Sequence, residues 1–442
     1  MPRTGEKTAR YGVGFVLFLL VNAVLFIRPG ELWEPLEGLP IYNVLIVLCI
    51  IASFPVLVRQ LAWSDLKGNP GTLCVVGFLG AAILSYLSKF NFWMSRETAE
   101  EFYKVILYYL LLVGLVNTPK RLGLFIGFVA GCVLVIAGLC LLQYHGQIEL
   151  PGISVIDRVV GMDDSGGAST VPQLCGPGIF NDPNDFSLIL TATMLILIHR
   201  AMEKGTRRFL CLLPLPLAGY AFALTNSRGG FLSLLGGGLT LIVARFGWKK
   251  SIPLTLLAVP VMLYLFAGRQ TNINVEGDDT AAGRMGLWKL GFIEMKTSPI
   301  FGIGYGTYEE AAGQVAHNSF VHSFVETGLF GGTLFASAIY LPIMLLRRRS
   351  AITEPGVDER LVSWRPCVLA LVTAYALGLC SLTRCYTVST YVVIGLGGAY
   401  WRLVWAERAE NTPVFDKKMI KRMMTVGACT LVTFYGLARF LT

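Results

Sequence analysis

Apolar residues run through this chain in long unbroken stretches. They show neither the alternation of a half-buried strand nor the three-and-four spacing of a soluble amphipathic helix. Tyr11 to Ile27, Ile41 to Val58 and Arg121 to Leu142 are long enough to cross the ~30 Å hydrocarbon layer, which takes roughly 20 residues of helix. Lipid offers backbone N–H and C=O groups no partner, so such runs must satisfy themselves as helices. The pattern marks thirteen candidate spans: 11–27, 40–58, 72–88, 102–117, 121–142, 186–200, 207–226, 229–245, 251–267, 318–346, 366–383, 386–405 and 423–441. The last is either a span or a peripheral helix. The expected fold is an all-α polytopic transmembrane bundle of about 12–13 spans. It forms a single integral membrane domain over residues 1–442, with two long outer loops, 143–185 and 268–317, carrying short helices.

Composition removes the competing classes. Hydrophobic residues make up 54% of the chain and charged residues 15%, with a mean hydropathy of +0.61. A soluble domain carries about a quarter charged residues. A soluble enzyme, a disulfide-stapled secreted domain and a disordered chain are excluded. The first span has no small-residue cleavage site, which predicts an uncleaved anchor.

The net charge of +9 looks at first like a nucleic-acid footprint. Its distribution says otherwise. With the N-terminus (Arg3, Lys7, Arg10) placed in the cytoplasm, the inside segments hold 25 of the 37 Lys and Arg residues but only 9 of the 28 acidic ones. Basic residues in short cytoplasmic loops are the signature of membrane orientation. No basic stretch interleaves with aromatics, so no nucleic-acid partner is expected. Eight of the ten cysteines fall inside spans, where a thiol is a small apolar group. The sequence gives no reason to pair the other two, Cys175 and Cys385. The four histidines lack zinc-site spacing, and no metal or cofactor is expected.

Four polar motifs stand out at the outer ends of the spans. Gly178-Ile-Phe-Asn-Asp-Pro-Asn-Asp-Phe-Ser187 closes the first long loop. Asp182, Asn184 and Asp185 there are turn formers, and Asn184, Asp185 or Ser187 could cap the helix that follows Pro183; in the sharper reading Asp182 and Asp185 face a polar cavity and contact a sugar or cation. Thr225-Asn-Ser-Arg-Gly-Gly230 places Arg228 at membrane depth, where a charge either snorkels or faces a partner. In the segment from Gly283 to Lys296, Met285, Trp288, Phe292 and Met295 form one apolar helical stripe. That stripe suits a helix lying on the outer interface, with Arg284 near its edge. Pro299-Ile-Phe-Gly-Ile-Gly-Tyr-Gly306 includes Tyr305. Its glycines allow tight turns or close backbone approach, and without a preceding strand they are weak evidence for a phosphate loop. Finally His317 precedes Asn318, His322 and Glu326, which recur every four residues and line one helical face. A polar stripe entering a membrane helix is expensive unless it faces a cavity.

In this order the motifs resemble the O-antigen ligase and polymerase superfamily of bacterial membrane glycosyltransferases. The matching pieces are Gly178 to Asp185, Ser227 to Gly230, Gly283-Arg284 with Trp288, Pro299 to Gly306, His317-Asn318, and Glu326-Thr-Gly-Leu-Phe-Gly-Gly332. The resemblance implies a multi-pass enzyme of the bacterial inner membrane with a periplasmic active site, without metal or cofactor. Its partners would be an undecaprenyl-diphosphate-linked glycan donor, a lipid A core or other glycan acceptor, and membrane lipids. By the same resemblance Arg228 and Arg284 hold the diphosphate and His317 is the general base. Asn318, His322, Glu326, Asp182, Asn184, Asp185, Trp288 and Tyr305 are expected to bind or orient substrate. Within the superfamily a polymerase or a protein O-oligosaccharyltransferase is the alternative, and a small-anion transporter a further one. A transporter should carry ionisable groups near the midplane, whereas here the polar motifs sit at the outer ends.

Overall fold

The computed structural model describes residues 11–162, 168–203, 205–266, 279–348, 357–407 and 412–440. The elements up to the second long loop are α1 (Gly12–Ile27), α2 (Ile41–Gln60), α3 (Pro70–Leu87), α4 (Phe92–Leu115), α5 (Pro119–Tyr144), strands β1 (Val155–Met162) and β2 (Ala168–Leu174), α6 (Pro183–Ala201), α7 (Arg207–Leu212), α8 (Leu215–Leu224), α9 (Arg228–Phe246) and α10 (Trp248–Leu265). After it come α11 (Asp279–Met295), α12 (Tyr308–Ala312), α13 (Ser319–Arg347), α14 (Glu359–Gly378), α15 (Val388–Glu407) and α16 (Lys417–Phe440). The fold is an all-α polytopic helical bundle. Among the described residues, eight helices are long and apolar enough to cross a membrane: α1 with its extension to Leu32, then α2, α3, α5, α9, α13, α14 and α16. The other five expected spans are helical but more polar or shorter. The segment of α4 from Arg96 to Lys104 carries Arg96, Glu97, Glu100, Glu101 and Lys104, and the expected span 207–226 is split into α7 and α8, with Pro214 between them.

The chain divides into two compact units. Unit 1 comprises Met1–Ser53 and Lys120–Ile273. In it α1 lies on α5 through the stacked rings of Phe18 and Phe125, 5.6 Å apart. Helix α6 is buried along most of its length, with α7, α8 and α9 packed around it. Gly230 of α9 permits the closest approach, since a Cβ there would collide with the Ser187 side chain of α6. Small residues at such crossings are the usual route to tight packing in lipid. The first long loop holds one 3₁₀ turn, Gly178–Phe180, and also an antiparallel hairpin that was not anticipated, with Val155 opposite Leu174. Val155 and Ile156 on one strand, with Thr170 and Val171 on the other, supply β-branched residues such a ribbon favours.

Unit 2 comprises Phe54–Pro119 and Asn274–Thr442. Helix α13 is its centre, packed on α3, α14, α15 and α16. The N-terminal end of α13 meets the C-terminal end of α16, with Phe320 stacked on Phe434 at 5.9 Å. At the other end Arg422, near the start of α16, reaches the Met344 sulfur. Helix α16 therefore runs antiparallel along α13. Its 24 residues give about 36 Å of length, enough for the hydrocarbon layer. That geometry matches a full-length span better than a peripheral helix.

Candidate active site

In unit 1 two helix N-termini are tied together. Asp182 is the N-cap of α6, its carboxylate accepting from the Asn184 N–H at 2.7 Å, with Pro183 in the first helical position. Ser227 is the N-cap of α9, accepting from Gly230 N–H, and its hydroxyl also donates to Asn184 Oδ1 at 2.7 Å. Gln173 Nε2, from β2, donates to the Thr225 carbonyl at 2.9 Å and fixes the turn before α9. Asn226 in that turn is left-handed, at φ 49°. Arg228 is therefore the first residue of a helix whose start adjoins the start of α6, and it is half-buried. Unpaired N–H groups and aligned peptide dipoles make such ends electropositive and suited to anions. Asp185, 5% exposed in the first turn of α6, sits where that dipole favours a carboxylate. Asp182 and Asn184 act here as a cap and a bridge between helices.

Arg28 was not among the residues singled out from the sequence. It ends α1 in a left-handed conformation (φ 53°) and pairs with Glu31 at 2.5 Å. Its guanidinium lies against Gly178, where a Cβ would come within 2.5 Å of Nε. The only signal was a lone charge directly after an apolar run.

In unit 2 the Pro299–Gly306 segment and α13 interlock. Helix α13 is broken at Gly328, whose φ of 66° and ψ of −168° lie outside the helical region. The groups freed by the break pair with the segment before the helix. Ile303 N–H donates to Val325 O, Gly304 N–H to Glu326 O, Leu329 N–H to Pro299 O and Phe330 N–H to Ile300 O, all at 2.9–3.1 Å. The backbones come so close that a Cβ on Gly302 would strike the Glu326 carbonyl and one on Gly328 the Ile300 carbonyl. These glycines serve close backbone approach, not a phosphate cradle.

The break positions Glu326. Its side chain is fully buried; Oε1 accepts from the Tyr308 N–H at 3.0 Å and lies 3.0 Å from His322 Nε2. A buried carboxylate survives only with such partners. The His322 ring stacks on Tyr308 at 5.0 Å and meets Tyr386 edge-on at 5.9 Å. With Nε2 facing the carboxylate, His322 Nδ1 and Asn318 Nδ2 are buried with no hydrogen-bond partner among the described residues, while the Tyr386 hydroxyl bears on the Glu326 carboxylate. Burial first, then the Glu326 charge, push Tyr308 and Tyr386 well above the ordinary phenol value. Both stay neutral at physiological pH. Asn318 caps α13, its Oδ1 accepting from the N–H groups of Phe320 and Val321.

His317 stands just before that cap, half-buried, at φ 48°. A left-handed backbone in a residue other than glycine is held only where its surroundings determine it. On one side is the Asn318 cap. On the other the Trp288 indole donates to the carbonyl of Ala316 at 2.7 Å. Arg284 precedes Trp288 by one turn of α11, so this bond seats the helix carrying Arg284 against the segment carrying His317. The stripe Trp288, Phe292, Met295 is buried with Val321, Phe324 and Ala438. It therefore covers α13 and α16, where a lipid-facing stripe was expected. Tyr305 accepts from the Tyr86 hydroxyl through its carbonyl (2.7 Å) and packs its ring on Tyr386 at 4.5 Å.

Sequence reasoning missed Tyr308, Tyr386 and Arg384. The Arg384 N–H donates to Ser319 Oγ at 2.8 Å, fixing the loop between α14 and α15 to the start of α13.

Residues 213–336 match the family model for O-antigen ligase. The match supports the O-antigen ligase superfamily. Within the matched O-antigen ligase region lie Arg228, Arg284, Trp288, Tyr305, His317, Asn318, His322 and Glu326; Asp182, Asn184 and Asp185 precede it. For this multi-pass protein the O-antigen ligase match suggests a glycosyltransferase-like enzyme, and that family implies glycan and lipid-linked substrates. No curated protein matches the chain.

Proposed function

We propose that this protein transfers a glycan from an undecaprenyl-diphosphate carrier to an acceptor hydroxyl, that of the lipid A core oligosaccharide, at the periplasmic face of the bacterial inner membrane. The observation that carries the reading is the Trp288–Ala316 hydrogen bond, which sets an arginine-bearing helix beside a strained histidine at the mouth of a polar helix.

The acceptor oxygen attacks the anomeric carbon of the donor. A carbon–oxygen bond forms there as the bond to the diphosphate oxygen breaks, and the carrier diphosphate departs with the electron pair. His317 takes the acceptor's proton, a task a neutral imidazole performs near physiological pH. Arginine forks match phosphate oxygens and oppose the charge that grows on the leaving group. Arg228 and Arg284 are each assigned to that role on this chemistry. The reading needs no metal ion.

One observation favours a second assignment of the base. The buried His322–Glu326 pair, 3.0 Å apart, has the form of an imidazole held in one tautomer by a carboxylate. In that reading His322 Nδ1 accepts the proton and His317 positions the acceptor.

The test is a deletion strain in which surface glycans and carrier-linked lipids are analysed together. Long glycan stranded on the carrier is the expected result. Single unpolymerised repeats would make the protein a polymerase, and unchanged glycans and carrier lipids would remove the assignment.

A further inference from the structure

Beside the Glu326 network, unit 2 contains an open cleft of about 400 Å³ between α3, α4 and the segment following Gly304. Its walls include Tyr86, Glu97, Thr98, Glu101, Tyr305 and Glu310, and no lysine or arginine lines it. The three glutamates are exposed, and among the described residues none of them makes an ion pair. The nearest arginine in sequence, Arg96, is taken by Glu100 at 2.6 Å. The glutamates do not form a group that could hold a metal ion.

A second observation is independent of the acids. Thr98 lines the cleft, is 1% exposed, and its hydroxyl has no hydrogen-bond partner among the described residues. A buried hydroxyl left without a partner is costly in a finished structure, so it marks a place where a ligand or ordered water completes the site. At the inner end of the cleft the Tyr305 ring packs on Tyr386, which in turn meets His322. Two aromatic rings thus separate the cleft from the carboxylate–imidazole pair.

Carboxylates that accept from neighbouring hydroxyls, a tyrosine face for C–H groups and one unsatisfied hydroxyl are the chemistry of a sugar site. The negative charge of the lining adds a restriction, because a phosphate entering here meets three carboxylates and no cation among the lining residues. We propose that this cleft holds the terminal sugar of the acceptor, and that the sugar is neutral or amine-bearing and carries no phosphate. The proposal rests on the glycan-transfer reading and names the acceptor class of that site.

The test is saturation-transfer NMR on the full chain in lipid nanodiscs, without donor, using methyl β-D-glucopyranoside, its 2-amino-2-deoxy analogue and its 6-phosphate. The neutral and amino sugars should bind, and the phosphate at least about tenfold more weakly. Glu97→Gln combined with Glu101→Gln should weaken the neutral sugar about tenfold and reduce discrimination against the phosphate. Thr98→Val, a substitution of near-equal volume, should weaken the neutral sugar alone. The proposal is overturned if none of the sugars binds, if the phosphate binds as well as the neutral sugar, if a chelator abolishes binding, or if neither variant changes it. Sugar binding by a protein that turns over no carrier-linked glycan would remove the transfer reading and leave the cleft a sugar site. Turnover without sugar binding would remove the cleft alone.

Discussion

The indole of Trp288 holds the carbonyl of Ala316 at 2.7 Å, one residue before His317 and one helical turn after Arg284. Trp288→Phe tests that link. Phenylalanine can still pack edge-on against Phe434, as the indole does at 5.6 Å, but it cannot donate. A buried carbonyl left unsatisfied costs about 1–3 kcal/mol. The expected outcome is normal accumulation with transfer reduced about tenfold, measured as kcat/KM on purified protein. Native turnover would reduce Trp288 to packing.

Arg228→Lys and Arg284→Lys should each impair transfer while the protein still inserts. Lysine keeps the charge and loses the planar fork. Losing a charge-assisted contact costs about 1.5–3 kcal/mol, roughly tenfold to more than a hundredfold. Normal glycan transfer by both variants would make these arginines anchors at the membrane interface.

The two histidines separate by comparison. His317→Ala should lose about 10²–10⁴-fold in turnover, the usual cost of removing a general base. His322→Ala should lose less, since it would remove only an orienting neighbour. A larger loss at His322, together with a comparable one in Glu326→Gln, would move the base to the buried pair.

Gly328→Ala and Gly306→Ala distinguish close contact from simple backbone strain. Both glycines have positive φ, but a Cβ at Gly306 meets open space while one at Gly328 meets the Ile300 carbonyl. Gly306→Ala should cost about 1–2 kcal/mol, the left-handed penalty alone. Gly328→Ala should cost clearly more and sharply lower the folded yield, read by size-exclusion profiles in mild detergent.

Topology is checked by cysteines at Ser165 and Asn274, positions outside the described residues. Both should react with an impermeant thiol reagent in intact spheroplasts. Labelling only after permeabilisation would reverse the orientation and remove the periplasmic site.

Much of this was legible because membrane helices announce themselves by length and apolarity. The Trp288–Phe292–Met295 stripe and the four-residue spacing of Asn318, His322 and Glu326 were legible because helical periodicity survives in sequence. What the stripe packs against was not, since a helix on lipid and a helix on α13 need the same apolar face. Tyr386 and Arg384 were invisible for a different reason. They come from a short loop some sixty residues from the motif they meet, with no periodicity to point at it. The β1–β2 hairpin went unseen because its β-branched residues lie among glycines and acids that read as loop.

The break at Gly328 makes the first turns of α13, Ser319 to Thr327, a separate peg and not the end of a continuous rod. The lower part of the helix is packed by its own neighbours, whereas the peg is held by the 299–304 backbone, the Ala316 anchor, the loop at Ser319 and the apolar contacts of Phe320, Val321 and Phe324. Those attachments can loosen while the lower helix stays in place. Warming should therefore silence the enzyme before it costs the bundle its helicity, so that activity and circular dichroism melt at different temperatures.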